Sequence, residues 1–304
     1  MNKRWAVLGL YALVILSLVV GITASPRARD SALALPSLPK VGVINVEGAI
    51  VGGRSLDFFG ATTGADRLLT DLRKAAEDPD IRAVVVRMNT PGGSAAASEE
   101  LGQEIRNLRD RGKPVVVSMA DMAASGGYWV ACYADRIVAS PGSMTGSIGV
   151  IFQHANLSEL YEKLGIEFET ITSGAFKDMG SSDRPLTDDE RRIMQAMLDD
   201  IFDQFVAVVA EGRDMSTEEV LEVADGRIFT GRQALELGLV DQLGSYHDAL
   251  DLAAELAGLV DYQVKDLQIR SPFDFLLGPW GLEGLRSLLF HHSRAVPGVG
   301  GGGP

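Results

Sequence analysis

Three short apolar runs constrain the fold of this chain more than any other feature. They lie at residues 41–46, 83–88 and 114–118, and few polar side chains interrupt them. Runs of this length are typical of strands that are buried on both faces of a sheet. Between them, residues 65–77 show the spacing of a helix with one apolar face, and a second helix is expected over about 95–111. This alternation predicts an α/β domain with largely parallel strands.

The second half of the chain is predicted to be rich in helices. Capping boxes, in which Ser or Thr is followed three residues later by Glu or Gln, mark helix starts. They begin at Thr187, Ser216 and Thr230, and another helix is expected over about 245–257. Further strands are predicted at 136–139, 148–152 and 167–172.

The N-terminal part of the chain has a different character. Residues 5–24 carry no charge, and twenty helical residues span about 30 Å, the thickness of a hydrocarbon core. We therefore predict a transmembrane anchor at 5–24, although a cleaved signal peptide is the alternative. Residues 1–4 are then a cytoplasmic N-terminus and 25–40 a linker. A catalytic α/β domain is expected over 41–260, followed by an apolar segment and tail over 261–304.

Composition excludes several classes of protein. The net charge of −13 argues against a nucleic-acid partner, because such proteins usually present a basic face. The single cysteine, Cys132, excludes an intramolecular disulfide framework and a cysteine-rich zinc site. It lies in an apolar stretch and is expected to be buried. The histidines show no metal-ligand spacing apart from the adjacent pair at 291–292, so we expect neither a metal nor another cofactor.

A serine and a lysine are the first candidates for catalysis. Ser125 is followed by two glycines, and Lys177 lies among the apolar residues Ala175, Phe176 and Met179. A serine nucleophile needs a base, and a lysine can act as one only where it is held neutral. The ordinary lysine pKa of about 10.4 must therefore fall to about 7–8, which burial in an apolar pocket can achieve.

A histidine offers a rival base for the same serine. His154 could pair with Ser125, with Asp178 or Asp183 as the third member of a triad. It lies at the end of an apolar run, where a structural histidine is common. The residues alone leave the Ser-Lys and Ser-His arrangements open.

Two Gly-Gly loops could supply backbone donors for an oxyanion. Residues 92–93 and 126–127 both follow predicted strands, and the carboxyl ends of parallel strands meet at one edge of a sheet. Ser147 lies in another loop of small residues. It competes for the role of nucleophile, or its hydroxyl could orient a neutral lysine.

Several separated motifs resemble the signal peptide peptidase A family of membrane-anchored bacterial serine proteases. They are SGGYW at 125–129, TGSIG at 145–149, SGAFKD at 173–178, NTPGGS at 89–94 and DGRIFTG at 225–231. The resemblance covers about 41–258 and is to the short form, with one catalytic unit. It implies a Clp-protease/crotonase-like fold and a Ser-Lys endopeptidase without cofactors.

The resemblance also implies a role for each site residue. Ser125 would be the nucleophile, Lys177 the general base and Ser147 the serine that hydrogen-bonds the lysine. Gly93 and Gly126 are the candidates for the oxyanion donors.

The family further implies an assembly, a location and a class of substrate. Its members form homo-oligomers with active sites at subunit junctions, so Lys177 could complete a neighbour's site. A single-pass anchor in the bacterial cytoplasmic membrane would hold the catalytic domain on the extracytoplasmic side. The expected substrates are remnant signal peptides and other hydrophobic or unfolded polypeptides. A crotonase-like acyl-CoA enzyme and an inactive scaffold of a membrane protease complex are the alternatives.

Overall fold

The computed structural model describes residues 38–53 and 62–268 of the chain. The anchor predicted at 5–24 lies outside these residues, as do most of the predicted linker and most of the predicted C-terminal segment. Within the two described ranges, every helix is too short or too polar to cross a bilayer.

An eight-stranded sheet organises the described residues. Its main path runs β10–β1–β4–β5–β6–β9, and all the pairings along this path are parallel. Strand β7 also pairs in parallel with β5 and carries β8 in the antiparallel sense, while β2 and β3 form a separate parallel pair. The strands are β1 (Lys40–Glu47), β2 (Ala49–Val51), β3 (Thr62–Gly64), β4 (Ile81–Thr90), β5 (Val115–Ala124), β6 (Arg136–Ala139), β7 (Met144–Gly146), β8 (Ile228–Thr230), β9 (Gln242–Leu243) and β10 (Gln263–Asp266). The predicted α/β class with largely parallel strands is confirmed, and the Clp-protease/crotonase-like assignment stays a prediction.

Helices cover the sheet and extend beyond it. They are α1 (Ala65–Glu77), α2 (Ala95–Asp110), α3 (Gly126–Ala131), α4 (Ser158–Leu164), α5 (Asp188–Arg213), α6 (Thr217–Val223), α7 (Gly231–Glu236) and α8 (Tyr246–Leu256). The capping boxes predicted at Thr187, Ser216 and Thr230 are all formed, with the hydroxyl and the side chain three residues later bonding each other's backbone.

Alternate residues of the central strands build two apolar layers, because successive side chains of a strand point to opposite faces. On one face, Val84 and Val86 of β4 join a large cluster that includes residues of α1, α2, α3 and α5. On the other face, Val85 joins a smaller cluster with α8. The sheet is therefore buried on both sides, as its continuous apolar runs predicted.

Two of the predicted strands are wrong. Residues 148–152 and 167–172 form no strand, and Ile151 and Ile171 are 82% and 90% exposed. Their sequences suit a sheet, but no strand of the described part of the chain pairs with them. After β7 the chain leaves the sheet, and it returns only at β8.

Candidate active site

Ser125 lies at a sharp turn between β5 and α3. Strand β5 runs to Ala124, six residues beyond the predicted end at 118, and α3 begins at Gly126. Ser125 has φ 52° and ψ −124°, a conformation that is uncommon for a residue with a side chain. Two hydrogen bonds hold this backbone, from the Ser125 amide to the Gly146 carbonyl (2.8 Å) and from the Trp129 amide to the Ser125 carbonyl (2.9 Å). The partly exposed side chain therefore sits at the carboxyl edge of the sheet.

Ser147 is the neighbour of Ser125 across the sheet. Strand β7 pairs with β5 so that Gly146 lies opposite Ala124, and each serine directly follows its strand. Ser147 also has a positive φ, 51°, and its amide donates to the Arg227 carbonyl at 2.8 Å. The structure brings together the predicted nucleophile and the serine predicted to assist the lysine.

The two Gly-Gly loops meet beside Ser125. The register between β4 and β5 shifts after Met88, and Thr90 pairs with Ala123. A Cβ added to Gly126 would lie 3.1 Å from the Gly93 amide nitrogen and 2.5 Å from the Ser98 hydroxyl oxygen. A side chain at Gly126 would therefore displace the Ser98 hydroxyl, and the amide groups predicted to bind an oxyanion belong to loops in contact.

The loop of Gly93 is itself braced by β2. The Ile50 amide donates to the Gly92 carbonyl at 2.8 Å, and the Ser94 amide donates to the Ile50 carbonyl at 2.9 Å. Gly93 has φ 153°, and a Cβ there would lie 2.0 Å from the Ile50 carbonyl oxygen. Only glycine fits this position.

One carboxylate ties α2 to α3, the helices that follow these two loops. Glu99 of α2 accepts hydrogen bonds from Trp129 Nε1 (2.8 Å), the Tyr133 hydroxyl (2.6 Å) and Gln103 Nε2 (2.7 Å). Burial alone would raise the pKa of Glu99, but the donors Tyr133, Gln103 and Trp129 outweigh it and hold the pKa below its ordinary value. We call Glu99, Trp129 and Tyr133 the α2–α3 clamp. Sequence reasoning missed it, because no local pattern sets Glu99 apart from the other acidic residues of α2.

Lys177 lies in a turn outside the sheet. Its amide donates to the Gly174 carbonyl at 3.1 Å, and its side chain is exposed. The apolar pocket predicted around it is not formed by its own neighbours, since Ala175 is exposed and Phe176 is 47% exposed. Within the described residues, neither Lys177 Nζ nor Ser125 Oγ forms a hydrogen bond.

An ion-pair network holds the segment next to Lys177. Arg184 pairs with Asp178 at 3.0 Å and with Glu190, in the first turn of α5, at 2.6 Å. The hydrogen bonds from Arg184 are the main reason that the pKa of Glu190 falls to about 2. The residue after Lys177 is therefore joined to a long helix.

His154 and the acids proposed to assist it have other partners. Its Nε2 lies 2.8 Å from the Ser181 carbonyl, Asp178 pairs with Arg184, and Asp183 accepts from the Ser181 hydroxyl. This is the arrangement of a structural histidine, and it does not support the Ser-His alternative.

Comparisons with known proteins identify relatives over most of the chain. The model of peptidase family S49 matches residues 107–260. A Synechocystis sp. protein with a provisional description as a protease is 42% identical over 233 residues, 77% of this chain and 80% of that protein. A protein of Enterococcus faecium, also provisionally described, as signal peptide peptidase SppA, is 39% identical over 226 residues, 74% of this chain and 66% of that protein.

Other matches differ more in length or in sequence. Protease 4 of Haemophilus influenzae is 37% identical over 231 residues, which are 76% of this chain but only 37% of that protein. Among solved structures, a point mutant of ClpP1 from Listeria monocytogenes covers 68% of this chain and 94% of its own, with a TM-score of 0.42 and 15% identity.

Proposed function

Since the chain belongs to peptidase family S49 and is a serine endopeptidase, we propose that Ser125 is its nucleophile and Lys177 its general base. The observation that carries the first assignment is the turn at Ser125. A partly exposed hydroxyl stands there at positive φ between a strand and a helix, beside the touching loops of Gly93 and Gly126.

The proposed reaction is an acyl transfer in two steps. Ser125 Oγ attacks the carbonyl carbon of a peptide bond while neutral Lys177 takes the hydroxyl proton, which then passes to the leaving amine. The amide groups of Gly93 and Gly126 donate to the oxyanion, an interaction for which one donor can contribute about 10²–10³-fold in rate. Water then attacks the acyl-enzyme with Lys177 again as base, and the carboxyl product leaves.

Lys177 is proposed to act on the Ser125 of an adjoining copy in a homo-oligomer. A lysine can act as a base only where its surroundings hold it neutral, and Lys177 is exposed in its own chain. A partner that covers this segment would supply the burial that a base requires. The apolar side chains of Ile171 and Phe176, in the same segment of the chain, are 90% and 47% exposed, which favours such a cover. The hydroxyl of Ser147, beside Ser125, would then form a hydrogen bond with the amine of Lys177.

The proposed substrates are remnant signal peptides and other hydrophobic or unfolded polypeptides. Support comes from the name of the Enterococcus faecium relative and from the motifs around Ser125 and Lys177. The uncharged segment at 5–24 is proposed to be a single-pass anchor in the bacterial cytoplasmic membrane, with the catalytic domain on the extracytoplasmic side.

The dyad can be tested with three variants of the full chain. Ser125→Ala and Lys177→Ala should each abolish peptide cleavage, whereas Lys163→Ala, at another exposed lysine, should retain it. A serine-reactive phosphonate should modify Ser125, as identified by mass spectrometry. Full activity of Lys177→Ala would refute the base assignment. Failure to label a folded chain would favour an inactive scaffold, and thioester turnover without peptide cleavage would favour a crotonase-like enzyme.

A mixing experiment tests whether the Lys177 of one copy acts on the Ser125 of another. Ser125→Ala and Lys177→Ala should each be inactive when assembled alone, but when they are dissociated and reassembled together they should regain part of the wild-type activity. In a mixed oligomer, some junctions join an intact Ser125 of one copy to an intact Lys177 of another. No recovery, with mixed assembly verified by two affinity tags, would place both residues of the dyad in one chain.

A further inference from the structure

A cavity lies on the face of the sheet opposite α3. It has a volume of about 420 Å³ and opens at the carboxyl ends of β1 and β4 beside the first turn of α8. In β4, Arg87 and Asn89 line it, while the alternate residues Met88 and Thr90 are buried on the other face. Its polar lining residues are Asn45, Glu47, Arg87, Asn89, Tyr246 and Asp266.

Arg87 is the cationic group of this cavity and is only partly satisfied. Its Nη1 donates to the Ser118 hydroxyl at 2.8 Å and to the Met119 carbonyl at 3.4 Å. Its guanidinium carbon lies 5.5 Å from the centre of the Tyr246 ring. Within the described residues, no carboxylate pairs with Arg87, and its Nε and Nη2 donate no hydrogen bond. The side chain is held in place, and its Nε and Nη2 nitrogens are available to donate to a carboxylate.

Glu47 and Asp266 are the anionic groups of the same cavity. Glu47 ends β1, and no cation of the described part of the chain forms an ion pair with its carboxylate. Asp266 ends β10 and accepts from the Gln268 amide at 2.9 Å. The cavity therefore holds a cation and two anions that do not pair with one another.

We propose that this cavity binds a short peptide with free ends, and specifically a dipeptide. Its carboxylate would lie on Arg87 and its ammonium near Glu47 and Asp266. A volume of about 420 Å³ lies toward the lower end of small-molecule sites, which run from about 300 to 1,000 Å³. This size suits a dipeptide better than a long chain. The site does not involve Ser125 or Lys177, so the proposal stands apart from the assignment of the dyad.

The test uses the full chain carrying Ser125→Ala in detergent, titrated with the dipeptide Ala-Leu by calorimetry. Two analogues serve as matched ligands, the N-acetylated dipeptide and the dipeptide amide, each of which lacks one charge. Ala-Leu should bind, and each analogue should bind about tenfold more weakly or worse, the scale of a lost charge-assisted hydrogen bond.

Three substitutions identify the protein groups. Arg87→Gln should weaken Ala-Leu binding at least about tenfold and remove the preference over the amide. Glu47→Gln, at an exposed side chain, should reduce the preference over the acetylated form even if Arg87→Gln does not fold. Arg82→Gln, at an exposed arginine of the same strand outside the cavity, should bind as the parent does. Absence of binding at millimolar Ala-Leu, or equal binding by the parent and by folded Arg87→Gln and Glu47→Gln variants, would overturn the proposal.

Discussion

Replacing Glu99 by glutamine tests whether the α2–α3 clamp sets the geometry around Ser125. The carboxylate accepts from Trp129 and Tyr133 at 2.8 and 2.6 Å, and these side chains are only 3% and 4% exposed. Hydrogen bonds to a charged group contribute about 1.5–3 kcal/mol each, against about 1 kcal/mol for neutral pairs. Glutamine keeps an acceptor oxygen but loses the charge, so we expect a loss of about 1–3 kcal/mol in the free energy of unfolding.

The effect on reactivity should exceed a general loss of stability. The clamp joins the helices that begin after the loops of Gly93 and Ser125, and misplacement of reacting groups by about 1 Å can cost about 10²-fold in rate. We therefore expect phosphonate labelling of Ser125 to slow by roughly 10–100-fold at a temperature where Glu99→Gln remains folded.

The matched control is Glu104→Gln on the same helix. Glu104 pairs with Arg73 at 2.7 Å, and the two side chains are 15% and 60% exposed, so this change should cost about 1 kcal/mol and leave labelling unchanged. The assays are chemical denaturation and the rate of Ser125 modification by mass spectrometry. If Glu99→Gln and Glu104→Gln label at the same rate, the clamp does not position Ser125 and the reasoning is wrong.

Three further predictions concern other parts of the molecule. Gly126→Ala should slow phosphonate labelling of Ser125 at least about tenfold, because its Cβ would lie 2.5 Å from the Ser98 hydroxyl oxygen. Adding Ser98→Gly should restore part of the rate. Equal labelling of the parent, the single variant and the double variant would contradict this packing. Arg184 lowers the pKa of Glu190 to about 2, below the ordinary value of about 4.3. The contribution of the ionised Glu190 to stability is therefore present above about pH 5 and is lost as the pH falls through 4 toward 2. The difference in Tm between the parent chain and Glu190→Gln should shrink over that interval, and a constant difference would refute the linkage. Burial raises the pKa of the Cys132 thiol to about 12, so maleimide should modify this cysteine only after denaturation, as followed by intact mass, and rapid modification of the folded chain would show that the thiol is accessible.

The parts of the fold that could be predicted from sequence are those decided by local pattern. The helix expected over 65–77 matches α1, because one apolar face recurs at the helical period. The helix after Thr187 begins where its capping box places it. The neighbourhood of Ser125 also followed from the sequence, since loops after parallel strands converge on one edge.

What could not be predicted depends on partners distant in the chain. Residues 167–172 have the composition of a strand, but a strand also needs a neighbour, and the described residues provide none. Trp129 and Tyr133, the two donors to Glu99 that form the clamp, lie 30 and 34 positions away in sequence, so no spacing rule indicates the clamp. The pocket expected around Lys177 is not formed within its own chain, because adjacent apolar residues alone do not bury a side chain in an exposed turn.

The parallel direction of β1 and β5 sets a distance between attachment and catalysis. The chain enters the sheet at Lys40, and Ser125 follows the opposite end of a strand that runs the same way. The eight residues of β1 rise about 3.3 Å each, or about 26 Å in all. A tether joined ahead of Lys40 therefore attaches at the edge remote from Ser125. A polypeptide that reaches Ser125 therefore meets the edge of the sheet opposite the one at which the chain enters it.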